Sequence, residues 1–170
     1  GAGPVPPEFW QKLALSYVCS GDFEKARQAA DEALEIDPAI HTARLLRANA
    51  ETKLGQPEAA EEDVQFVAQA YKARVDEVVS QKLTAEAAEI AWFYGYHRPD
   101  KDRALRLAKI AMEDADPGSL ARLAYGYALR LNGRADEAQA VLDPLANTDQ
   151  LAALEVARRH IERGNRGQAI

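Results

Sequence analysis

Residues 7–40 read PEFWQKLALSYVCSGDFEKARQAADEALEIDPAI, and the spacing within this stretch decides the fold. Trp10, Leu13, Ala14 and Tyr17 fall at i, i+3, i+4 and i+7, one stripe of a helix. Gly21-Asp22 interrupts it. A second stripe follows through Ala26, Ala30, Ala33 and Leu34, and Asp37-Pro38 closes it, because proline disfavours helical geometry in the residue before it. The stretch is therefore a helical hairpin of small and large apolar residues.

The punctuation recurs. Gly21 to Gly55 is 34 residues, as is Ala26 to Ala60. Ala60 to Ala104 is 44, and Ala104 to Ala138 is 34 again. Ala138 to Ala169 is 31, shortened where Pro144 ends a helix early. Residues 7–40 resemble the tetratricopeptide repeat, whose pattern W-x2-L-G-x2-Y, A-x3-F and P runs over ~34 residues. Trp10, Leu13, Tyr17, Ala26 and Pro38 match it, while alanine replaces the usual glycine at 14 and phenylalanine at 30.

The resemblance implies an all-α fold, a right-handed α-solenoid of antiparallel helix pairs with about four repeats and a trailing partial one. The expected units are 7–40, 41–74, 85–118 and 119–149, with 150–170 a truncated fifth. Residues 1–6, opening Gly1-Ala2-Gly3, read as a tail or cloning remnant. In the second unit Arg44, Arg47 and Glu51 stand where apolar residues usually sit. In the third, Trp92 and Phe93 fall where the family prefers something small. Gly126, Gly133, Ala138 and Leu142 fit the fourth.

The extra residues at 75–84 read as an extended helix. Val64, Val67, Tyr71, Val75 and Val78 continue one stripe, with neither Gly nor Pro from Glu58 to Ala91. The second helix of unit two is expected to run to Ser80 or Lys82, and Thr84 and Asp100 are expected to cap the helices that follow them.

Family members use the stacked first helices as a groove for a peptide or helix. Inward-facing positions carried over from the family give groove candidates Gln11, Leu15, Val18, Leu45, Asn49, Phe93, Tyr96, Leu123, Tyr127 and Arg130. The expected function is a protein-interaction scaffold whose partner is a protein or peptide. The alternative is self-association as a homodimer within a larger protein, through Tyr71, Val75 and Val78 of the extension or Leu151, Leu154 and Ile161 of the last unit. The clamp by which some members hold acidic C-terminal tails is absent, since Gln11 and Leu15 replace its Lys and Asn.

Other chemistries find no support. A net charge of -6, without a basic patch, argues against a nucleic-acid partner. The imbalance sits in residues 1–85, with 9 basic and 14 acidic groups. No apolar run reaches the ~20 residues of a membrane helix, so no direct membrane insertion is expected. His41, His97 and His160 have no metal-ligand spacing, the single cysteine, Cys19, has no disulfide partner, and none of the four serines lies in a nucleophile elbow. The expectation is no catalytic residue, no metal and no cofactor, hence no enzyme. Glu58, Glu61, Glu62 and Asp63 read as acids complementing a helix N-terminus.

Overall fold

A computed structural model describes residues 5–145 of the 170. These form eight α-helices and a short 3-10 turn, with no strand among the described residues. The helices are α1 (Pro7–Ser20), α2 (Phe23–Ile36), α3 (His41–Lys53), α4 (Pro57–Gln81), α5 (Thr84–Tyr96), α6 (Lys101–Ala111), α7 (Ser119–Leu131) and α8 (Ala135–Leu142). They belong to two compact units, one up to Ala70 and one from Tyr71, with the boundary inside α4.

The turns explain the helix ends. Gly21, Gly55 and Gly133 take φ of 80°, 76° and 76°, the left-handed region that a side chain on Cβ disfavours. Each sits at the same place in its hairpin, so the glycine spacing is a record of the turn geometry. The third hairpin, Tyr96 to Asp100, uses no such glycine. Asp100 caps α6 by accepting a hydrogen bond from the Arg103 amide (3.0 Å). Thr84, expected as a cap, is instead the first residue of α5, and its hydroxyl donates to Asp114 (2.9 Å). Helix α4 ends at Gln81, as the unbroken apolar stripe implies, and Lys82 turns the chain with φ of 51°.

In the first unit α1 packs on α2 and α3, and α2 on α3, the stacking of an α-solenoid. Ala33, Leu34 and Ala43 form a small core under Trp10 and Ile40. Alanine at the contact positions lets the helices approach closely: Ala14, Ala26, Ala30 and Ala33 are fully buried. The arginines of α3 do not face a core. Asp63 of α4, buried, accepts from Arg44 Nη1 (3.1 Å) and from Arg47 Nε and Nη2 (2.6 and 2.7 Å). Arg47 Nη1 also donates to Asp31 of α2 (2.8 Å). Asp63 is thus a bolt between three helices, not an acid complementing a helix end. Neighbouring Glu51 is buried with Oε2 unpartnered, and burial, then the Asp63 charge, push its pKa up.

In the second unit α5 packs on α6 and α7, and α7 on α6 and α8. Helix α5 is largely apolar and buries seven of its thirteen residues, Ala87, Ala88, Ile90, Ala91, Phe93, Tyr94 and Gly95. The register of this hairpin differs by one from the spacing. Helices α1, α3 and α7 begin at 7, 41 and 119, and Ala14, Ala48 and Gly126, seven residues on, are buried. Helix α5 begins at Thr84, and its fully buried counterpart is Ala91, while Trp92 stays half-exposed. At Gly126 a Cβ would lie 2.6 Å from Cγ and Cδ2 of Leu142, so glycine sets the closeness of α7 and α8.

A candidate partner-binding face on the first helices

The shifted register places Trp92 where Leu15 and Asn49 stand in the first unit, nine positions into the hairpin. Trp92 and Tyr96 are i and i+4 on α5, so their rings meet on one side of the helix. They stack at 5.9 Å between centroids and 12° between planes. Tyr96 then meets Tyr127 of α7 edge-on, at 5.5 Å and 74°. The absence of a side chain at Gly95 permits this, since a Cβ there would stand 3.1 Å from Cβ of Tyr127. The Arg130 guanidinium lies 4.8 Å from the Tyr127 ring centre. Leu123, Tyr127 and Leu142 form the core beneath, with Trp92, Tyr96 and Leu120 packed on it.

The groove candidates therefore divide. Gln11 and Leu15 of α1, Asn49 of α3, Tyr96 of α5 and Arg130 of α7 are half-buried, with surface to offer. Val18, Leu45, Phe93, Leu123 and Tyr127 are buried, with 5% or less of their surface exposed. The physical reason is that burial removes their apolar surface from water, and the small alanines beside them leave the room that these large side chains fill. These five are a floor beneath the face, and reach a visitor only through the shape they give it. Trp92, which spacing singled out only as a misfit, is the residue missed. An aromatic pair at i and i+4 was the signal available.

The candidates for self-association are placed differently. Tyr71 and Val78 face inward and are buried, Tyr71 meeting Phe93 edge-on at 5.4 Å, and burial pushes its phenol pKa up. Val75 is half-buried. Tyr71 is covered within its own unit by Phe93 of the hairpin that follows, while Val75 keeps surface to offer. Leu151, Leu154, Ile161 and His160 lie outside the described residues. His97 packs against Trp92 and Tyr96 as an aromatic, and His41 begins α3 with a pKa lowered by burial and then by Arg44. Among the described residues no three His, Cys, Asp or Glu side chains gather as a metal site, and no helix is long and apolar enough to cross a membrane.

Helical hairpins stacked on their neighbours within each unit define a helical-repeat fold. Residues 7–40 match the family model for the tetratricopeptide repeat. No curated protein and no solved structure matches the chain. Tetratricopeptide repeats generally mediate protein–protein interaction, and the family is generally a non-enzymatic scaffold.

Proposed function

We propose that this protein holds a peptide or helix of a partner protein on the face of its first helices, with the Trp92–Tyr96 pair as the anchor. One observation carries the reading: the Trp92 and Tyr96 rings stack on one another and against the core, yet both stay only half-buried, with surface left to offer. Aromatic side chains of this kind dominate binding energy where they are held rigid before the partner arrives. Rigidity here comes from the buried Tyr127 behind Tyr96 and from Leu142 and Leu123 below. Glu89, exposed on the same helix, and Arg130 on α7 would flank the anchor with opposite charges and set the direction of a bound segment.

The test is capture of partners from a native lysate by the wild type and by Trp92→Ala with Tyr96→Ala. Loss of a discrete captured protein, with helical circular dichroism intact, supports the face. Identical capture by both proteins refutes it.

A further inference from the structure

The second unit carries another surface, built by the end of α4 and by α6 rather than by the first helices. Two adjoining depressions, of about 300 and 490 Å³, run between these helices and share Arg106 as a wall. Their floor is apolar: Val75 and Val79 on α4, Leu105, Leu107 and Ile110 on α6. The walls hold five basic side chains against two acidic ones, Asp76 and Asp102. That balance is the reverse of the whole chain, which is net -6. Lys72, Arg106 and Lys109 are exposed and enter no ion pair among the described residues, whereas Lys82 is held by Glu113 at 2.7 Å.

From these features we infer that this trough is a second docking site, and that its occupant is a short acidic amphipathic helix of another protein. Charge complementarity chooses the sign: three uncommitted cations line a cleft in an otherwise acidic molecule. The apolar floor requires a partner with apolar side chains on one face. Lys72 and Gln81 are nine residues apart on α4, which spans ~14 Å, the length of between two and three helical turns. A third helix lying between two others is the ordinary way such a trough is filled. Lys72, Arg106 and Lys109 are exposed whereas Leu107 and Ile110 are buried, so a flat anionic membrane would meet charge and leave the floor empty.

The probe is a synthetic peptide of about 15 residues with leucines at i, i+3, i+4 and i+7 and glutamates on the other face, read by fluorescence anisotropy against the full chain. Its comparison is a peptide of the same composition with the leucine spacing scrambled. The expected result is saturable binding that weakens with salt, falls at least about ten-fold for the scrambled peptide, and falls as much for Lys72→Glu/Arg106→Glu/Lys109→Glu. The neutral set Lys72→Gln/Arg106→Gln/Lys109→Gln should also weaken it, and guards against misfolding of the reversed one. Trp92→Ala should leave it unchanged, which separates this site from the first-helix face. Equal affinity for the scrambled peptide, or for the neutral variant, overturns the inference. So does stronger attachment to phosphatidylserine vesicles than to the peptide, or a concentration-dependent dimer that the neutral variant abolishes, since the occupant would then be a membrane or a second copy.

Discussion

Replacing Asp63 with alanine should be the costliest single polar change in the first unit. The carboxylate, only 4% exposed, accepts three hydrogen bonds from two guanidinium groups. Breaking a buried ion pair by removing one partner costs about 3–5 kcal/mol, because the surviving charge keeps its burial and loses its compensation. Here the cost should fall near the lower end, about 3 kcal/mol. Arg47 keeps Asp31, and Arg44 Nε keeps the Pro38 carbonyl at 3.1 Å, so neither guanidinium is stranded. Urea unfolding followed by tryptophan fluorescence in a Trp92→Phe background reports this unit alone, because Trp10 is then the remaining tryptophan. The companion triple change Arg44→Met, Arg47→Leu, Asp63→Leu should recover most of the loss, since a packed apolar set replaces a buried ionic one at little or no cost. A loss below about 1 kcal/mol for Asp63→Ala would mean the network behaves as a surface salt bridge, and the bolt between α2, α3 and α4 would be refuted.

Other outcomes follow from the same packing. Gly126→Ala should lower the stability of the second unit by about 1 kcal/mol, overpacking against Leu142 exceeding the gain in helix propensity, whereas Gly118→Ala, with open space at its Cβ, should be nearly neutral in the same thermal melt. Glu51→Gln should stabilise the first unit by about 1–2 kcal/mol at pH 7 by removing a buried charge. The wild-type pKa is raised on folding, so its penalty is absent below the ordinary carboxylate range and develops as pH rises through the folded value; the advantage of glutamine, read as a difference in urea midpoints, should vanish near pH ~4. A pH-independent gain would contradict that assignment. Phe93→Ala with Tyr127→Ala should cost several kcal/mol and collapse the helical signal on mild heating, as core truncations do; a normal melt would mean these rings are surface after all.

The hairpin architecture was legible because it rests on local rules. A glycine at φ > 0 announces itself by type, and Gly21, Gly55 and Gly133 mark three of the turns. The long α4 was legible for the converse reason, since nothing in 58–81 can stop a helix. Side-chain direction was less accessible. A one-residue shift of α5 carries Phe93 inward and Trp92 outward, and the turn that would have fixed the register, Tyr96 to Asp100, lacks the glycine of the others. Burial also depends on the neighbouring helix: Tyr71 looks like an uncovered stripe until Phe93 closes over it. Asp63 was misread because its partners lie 16 and 19 residues earlier in the chain, and only the packing of α3 on α4 brings them together.

The most direct measurement is site-specific photo-crosslinking in cells, with a photoreactive amino acid placed in turn at position 96 and at exposed Lys12 of α1 as reference. A partner seated on the aromatic face should give a discrete adduct from position 96 that disappears on Trp92→Ala and is absent from position 12. No adduct from position 96, or the same adducts from both positions, would contradict a binding face centred on α5.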